Sequence, residues 1–255
     1  MALEIVTLPT LSDNYNFLLH DTASGQSALV DAPEDGSIAE AIKDRGWGLD
    51  VILLTHHHWD HIDGAEALRS EFGAKIVGAA ADAHRLPSLD QVVSAGQSFD
   101  LFGHEVQVID VPGHTVGHVA FYVPSEKALF SADSLMALGC GRLFEGTPAQ
   151  MFASLSTMSA LPGDTLVYSG HEYTAANAAF ALTIEPGNEA LQNRVSAVKS
   201  ARDGNNPTVP SLLSEELATN PFLRSHSPEV QATVGLSGAD LVDVFTEVRK
   251  RKDNF

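Results

Sequence analysis

One cysteine in 255 residues, Cys140, excludes an internal disulfide, so any stable fold must come from an apolar core. With 44% hydrophobic residues there is enough material for one large domain, or for a core domain with a smaller one. No apolar run approaches the roughly 20 residues that span a bilayer, and the opening MALEIVTLPT lacks a basic segment followed by an apolar stretch. A reducing cytoplasm and no membrane association are therefore expected. Basic residues are also scarce. Fifteen Lys and Arg against 33 Asp and Glu give a formal charge of −18, which argues against nucleic acid or anionic membrane as partners. An anionic small molecule would need a local basic patch, and the one dense cluster is Arg249, Lys250, Arg251 and Lys252. Internal repeats and low-complexity segments are absent as well.

What is present is an alternation of strands and helices over the first two thirds. Short β-branched apolar runs at Val51 to Leu54, Val106 to Val111, Ala128 to Phe130 and Leu166 to Tyr168 predict strands. Each is followed by side chains able to bind a metal: Thr55-His56-His57-His58-Trp59-Asp60-His61, then Pro112-Gly113-His114, Ser131-Ala132-Asp133 and Ser169-Gly170-His171. Strand ends meeting at one rim of a layered α/β sandwich would bring these loops to one site. From about Thr174 the pattern becomes helical. Residues 174 to 203 predict helix with Gly204 as a stop, Ser214-Glu215-Glu216 reads as a capped short helix, and Ser227-Pro228-Glu229 places a cap before an N1 proline. Ser237 with Asp240 three residues on resembles a capping box, and Pro207 and Pro210 mark an extended connection.

The densest signal is His56-x-His58-x-Asp60-His61. In an extended segment residues two apart face the same way, so His56, His58 and Asp60 can share a side while His61 turns with the next helix, around Ala65 to Phe72. With His114, Asp133 and His171 they make seven candidate ligands, the number two metal ions need if one carboxylate bridges and a shared water completes each shell. Imidazole and carboxylate donors suit zinc, iron or manganese rather than calcium or magnesium. His57 alternates away from this face and reads as a supporting or solvent residue, His118 as a supporting or core histidine. His20, His84, His104 and His226 have no such company.

The run T-H-H-H-W-D-H, P-G-H-T at 112 to 115, Asp133 in F-S-A-D-S and G-H-E-Y-T at 170 to 174 together resemble the metallo-β-lactamase superfamily. The run G-C-G-R-L-F-E-G at 139 to 146, A-T-N-P-F-L-R at 218 to 224 and the terminal R-K-R-K-D-N-F resemble its glyoxalase II, or hydroxyacylglutathione hydrolase, family. The likeness runs from Asp13-Asn14-Tyr15 to the last residue. It implies a four-layer αββα sandwich over 1–173 with a smaller all-helical substrate-binding domain over 174–255. It implies two divalent ions, zinc foremost and iron or manganese as alternatives: His56, His58 and His114 on one, Asp60, His61 and His171 on the other, Asp133 bridging, with a metal-bridging hydroxide held by Asp133, Asp60 and His58. It also implies glutathione contacts from Arg142, Tyr173, Arg249 and Lys252, with Phe144 standing where some members carry tyrosine. The implied reaction is cleavage of S-D-lactoylglutathione and other S-2-hydroxyacylglutathiones to the 2-hydroxy acid and glutathione, the second step of methylglyoxal detoxification, by a monomer or weak homo-oligomer. A glutathione persulfide dioxygenase with a single iron is the competing enzyme reading, and a non-catalytic metal-binding scaffold the other.

On the residues alone, the basic tail reads first as a complement to the negative end of the last helix, and only second as a binding patch. Cys140 in its Gly-Cys-Gly turn reads as structural, because a metal-activated water already supplies a nucleophile.

Overall fold

The computed structural model describes residues 3–255. The chain divides into two compact units. The first runs up to Asp110 and takes in Val116–Ala132; the second comprises Val111–Thr115 and Asp133–Phe255. Among the described residues, no helix is long and apolar enough to cross a membrane.

The first unit opens with strands β1 (Leu3–Thr10), β2 (Asn14–Asp21) and β3 (Ser27–Val30), then α1 (Gly36–Asp44), β4 (Val51–Leu54), the one-turn helix α2 (Trp59–Ile62), α3 (Ala65–Phe72), β5 (Lys75–Ala79) and β6 (Gln91–Val93). β1 to β6 form one sheet in chain order. The first two steps are antiparallel and the rest parallel, with Leu29 opposite Ile52 and Ile52 opposite Ile76. These parallel strands are buried on both faces, which explains why Ala28–Val30 and Ile52–Leu54 are apolar without alternation. Ile38, Ala39 and Ile42 of α1, with Ala65 and Leu68 of α3, form one core with Leu18, Leu29, Ile52 and Ile76. At roughly 25 cal/mol per Å², each such fully buried Leu or Ile contributes about 1.5–3 kcal/mol.

The remaining strands of this unit, β7 (Ser98–Leu101), β8 (His104–Asp110), β9 (Val119–Val123) and β10 (Ala128–Ala132), run antiparallel in the order β10-β9-β8-β7. The β7–β8 hairpin turns on Phe102-Gly103, both with positive φ (58° and 87°), the geometry that matches the twist of the flanking strands and that glycine adopts without strain.

The second unit holds the hairpin β11 (Leu135–Met136) and β12 (Gly139–Cys140), then α4 (Pro148–Ser159), β13 (Leu166–Ser169), α5 (Thr174–Ile184), α6 (Glu189–Asp203), β14 (Ser211–Leu212), α7 (Leu213–Thr219), α8 (Pro228–Val234) and α9 (Leu241–Asp253). Several boundaries differ from the sequence expectation. The 174–203 stretch is two helices, because Pro186-Gly187 interrupts it and Asn188 caps the second by accepting from Leu191 N at 3.1 Å. Ser214 lies inside α7, which begins without a side-chain cap. Asp240, not Ser237, caps α9, accepting from Val242 N at 2.8 Å.

A buried polar network ties the β11–β12 hairpin to these helices. Glu216 accepts from Leu138 N (2.9 Å) and Asn220 Nδ2 (3.1 Å) and pairs with Arg194; Asn220 Nδ2 also donates to Met136 O (3.2 Å) and Gly139 O (3.0 Å), and Asn177 Nδ2 to Ala137 O (3.1 Å). The hairpin's backbone groups are thus satisfied by side chains in place of a wider sheet. That network fixes the path of the chain from Asp133 to Arg142.

Candidate metal centre

In the first unit, His56, His58, Asp60 and His61 leave the C-terminal end of β4. Residues 55–58 have no regular structure, and α2 then turns Asp60 and His61. His56 Nε2 lies 3.2 Å from His58 Nδ1, and the His56 and His61 rings are 4.2 Å apart. Asp31, at the end of β3, controls the protonation pattern. It is buried, and it accepts from Thr55 N (2.9 Å), Thr55 Oγ1 (2.8 Å) and His61 Nδ1 (2.9 Å). With Nδ1–H donated to a carboxylate, the His61 lone pair is on Nε2. Thr55 gives its one proton to Asp31, so its oxygen accepts from His56 Nδ1 at 3.0 Å, and His56 likewise presents a lone pair from Nε2. Asn14 Nδ2 holds Asp60, reaching its backbone oxygen at 3.0 Å and Oδ2 at 3.2 Å.

The flanking histidines sit behind this group. His118 is fully buried, stacks on His56 (4.6 Å, 8°) and has Nδ1 3.1 Å from Val119 O. His57 turns to the buried Asp82 (3.0 Å), which also pairs with Arg85. Asp31, Asn14 and Asp82 were missed in the sequence. Val30-Asp31 carried the same signal as Ala132-Asp133, a carboxylate directly after a buried strand, and Asn14 lay in a run matched to the family without a role.

In the second unit, Asp133 receives both remaining histidines on one oxygen: His114 Nε2 is 3.4 Å and His171 Nε2 3.3 Å from Oδ2. All three are buried. His114 Nδ1 donates to Arg142 O at 2.8 Å, which again leaves the lone pair on Nε2. Gly141 makes this approach possible, since a Cβ there would stand 1.9 Å from Asp133 O and 3.0 Å from His114 Nδ1. Within each unit ligand-type nitrogens and carboxylates lie together, and His56, His61 and His114 are held by partners behind them that leave Nε2 as the ligating atom. This is the donor chemistry of a transition-metal or zinc site, and these residues fit one.

The expected glutathione residues all lie in the second unit. Arg142 and Phe144 are exposed, 61% for the Arg142 side chain and 62% for Phe144, whose ring meets His114 edge-on at 5.2 Å. Tyr173 stacks on His171 (4.8 Å, 4°). Arg249 is on the buried side of α9, donating to Cys140 O (3.0 Å) and Asp253 Oδ1 (3.1 Å). Lys252 Nζ donates to Ala176 O (3.3 Å) over the Phe180 and Phe255 rings; partial burial, then the Arg249 charge, lowers its pKa. Burial pushes the Cys140 thiol up to about 11, so it is protonated and inert at neutral pH.

The sequence profile of the metallo-beta-lactamase superfamily matches residues 14–171, and that of the hydroxyacylglutathione hydrolase C-terminus matches residues 172–255. A hydroxyacylglutathione hydrolase of Ruegeria pomeroyi is 60% identical over 255 residues, 100% of both chains, and one of Methylococcus capsulatus is 53% identical over 253 residues, 99% of both. Among solved structures, a chain crystallised in a di-iron-bound form aligns with TM-score 0.57 and 28% identity, over 66% of this chain and 91% of its own. An α/β metallo-β-lactamase domain followed by a helical C-terminal domain, with full-length likeness to these hydrolases, places the chain in the hydroxyacylglutathione hydrolase family of the metallo-β-lactamase superfamily.

Proposed function

We propose that this enzyme is a thioester hydrolase that cleaves S-D-lactoylglutathione, and other S-2-hydroxyacylglutathiones, to the 2-hydroxy acid and glutathione. The observation that carries the reading is the full-length 60% identity to a hydroxyacylglutathione hydrolase, which takes in both ligand sets and the C-terminal region particular to that family.

In this reading 1–173 is the catalytic domain and 174–255 the substrate-binding domain. His56, His58 and His114 would hold one divalent ion, Asp60, His61 and His171 a second, with Asp133 shared between them. Zinc is the first choice, and nitrogen and oxygen donors also admit iron or manganese. When bound, such ions lower the pKa of a water far below its bulk value, to about 7, and polarise a carbonyl.

The chain's own residues do the rest. Asp31, Thr55 and the Arg142 carbonyl keep His61, His56 and His114 in the ligating tautomer. Asn14 holds Asp60 in place through its side-chain amide. Arg142, Arg249 and Lys252 supply positive charge for the two carboxylates of glutathione within a chain of net charge −18. Tyr173 and Phe144, whose rings lie against His171 and His114, would contact the glutathione moiety. The leaving thiolate is a stable anion, so the reaction requires no dedicated general acid. A cytoplasmic monomer or weak homo-oligomer is part of the proposal, in keeping with a lone buried thiol.

Loss of thioester absorbance with purified protein and S-D-lactoylglutathione tests it. Turnover is expected; its absence in metal-loaded, folded protein overturns the assignment.

A further inference from the structure

Asp253, the last residue of α9, collects two guanidinium groups on one carboxylate oxygen. Arg249 reaches its Oδ1 through Nε at 3.1 Å and Nη2 at 2.8 Å, and Arg142 Nε stands 3.7 Å from the same atom. The two arginines differ in what else they do. Arg249 is 7% exposed and tied as well to Cys140 O, so it is a fixed part of the packing. Arg142 is an ion-pair partner beyond hydrogen-bond distance, with most of its side chain in solvent. Its backbone oxygen orients His114, so Arg142 stands on the segment of chain that supports the ligand set. A carboxylate of a substrate approaching Arg142 would meet a position already held by a carboxylate of the chain.

We propose that Asp253 is a specificity-determining residue, an internal carboxylate that competes with the substrate's own carboxylate for Arg142 and so sets the KM for anionic thioesters. The inference rests on the glutathione-thioester reading above. Binding exchanges one carboxylate for another at Arg142, so part of the attraction is spent on breaking the pair that exists in the free protein. A half-exposed pair of this kind is worth little, which bounds the effect. Removing the Asp253 charge is expected to lower KM roughly two- to fivefold.

The experiment compares wild type, Asp253→Asn and Asp253→Glu in steady-state hydrolysis of S-D-lactoylglutathione and of an uncharged lactoyl thioester of N-acetylcysteamine. Asp253→Asn is expected to lower KM for the glutathione thioester with kcat unchanged, to leave KM for the uncharged thioester alone, and Asp253→Glu to keep the wild-type KM. Asp253→Ser, which retains an acceptor for Arg249, is the second variant should the amide disturb α9, and is expected to give the same fall. An unchanged or raised KM in both neutral variants, with an active wild type, overturns the proposal. A fall in kcat accompanied by metal loss also overturns it, assigning Asp253 to holding the Cys140 loop. A metal-loaded wild type that turns over only the uncharged thioester overturns the glutathione reading itself.

Discussion

Replacing Asp31 by Asn tests whether the hydrogen bonds behind the ligands govern metal binding. The amide is nearly isosteric, so packing around this buried site is preserved while the pattern of donors and acceptors is reversed. As a carboxylate, Asp31 accepts three hydrogen bonds at 2.8–2.9 Å, two of them on Oδ2 from Thr55 Oγ1 and His61 Nδ1. If the amide oxygen keeps Thr55 N, the NH2 group faces Thr55 Oγ1 and His61 Nδ1. His61 must then accept at Nδ1 and carry its proton on Nε2, the atom required for the metal. Thr55 can rotate its hydroxyl, so the principal loss is one charge-assisted hydrogen bond, about 1.5–3 kcal/mol. At 1.4 kcal/mol per tenfold that is roughly 10–100-fold in affinity, the range typical of residues that orient metal ligands. Chelator-competition titration with zinc on refolded, metal-free protein measures it directly, with circular dichroism as the folding control. A folded Asp31→Asn protein that binds zinc as tightly as wild type would refute the reasoning.

Other expectations follow from single residues. Cys140→Ser is expected to leave kcat within about twofold, and native protein to resist thiol alkylation, because burial keeps the thiol protonated with its pKa at about 11. Asp21 is held at about 2, against an ordinary 3.8, first by the Ser24 hydroxyl and then by Ser24 N at 2.8 Å. A depressed carboxyl stabilises the fold above its unfolded value and loses that contribution as pH falls through its folded one. Thermal melts should therefore show wild type losing more stability than Asp21→Asn between about pH 4 and pH 2. Phe144→Tyr restores a hydroxyl beside His114 and is expected to lower KM for S-D-lactoylglutathione roughly two- to tenfold, the worth of one hydrogen bond; an unchanged KM would place the ring outside the glutathione contacts.

Local patterns were legible in the sequence and long-range ones were not. His56, His58, Asp60 and His61 fall within six residues after an apolar run, so a strand, its end and its ligands could be read from one short window. His114, Asp133 and His171 were recognisable by the same strand-end rule. Asp31 obeys that rule too, yet its value comes from Thr55 and His61, 24 and 30 residues away. The strands β1 and β2 pair along eight residues, but Leu3–Thr10 alternates weakly and Asn14–Asp21 interleaves Asn, His and Tyr with apolar residues, so neither stands out. In the tail, charge suggested a basic patch for an anionic ligand or a complement to the helix end. Burial of Arg249 follows from Val244, Phe245 and Val248 lying on the same side of α9, with Cys140 O to receive the guanidinium, and that acceptor is 109 residues distant.

The central claim is that these imidazole and carboxylate groups act through bound metal. Its most direct test is a single sample carried through elemental analysis and an S-D-lactoylglutathione assay, first as purified, then after exhaustive chelation, then after zinc is returned. The account predicts about two metal ions per chain at the start, a rate that falls with metal content, and recovery on reloading. Full thioesterase rate in folded protein stripped of metal would contradict it.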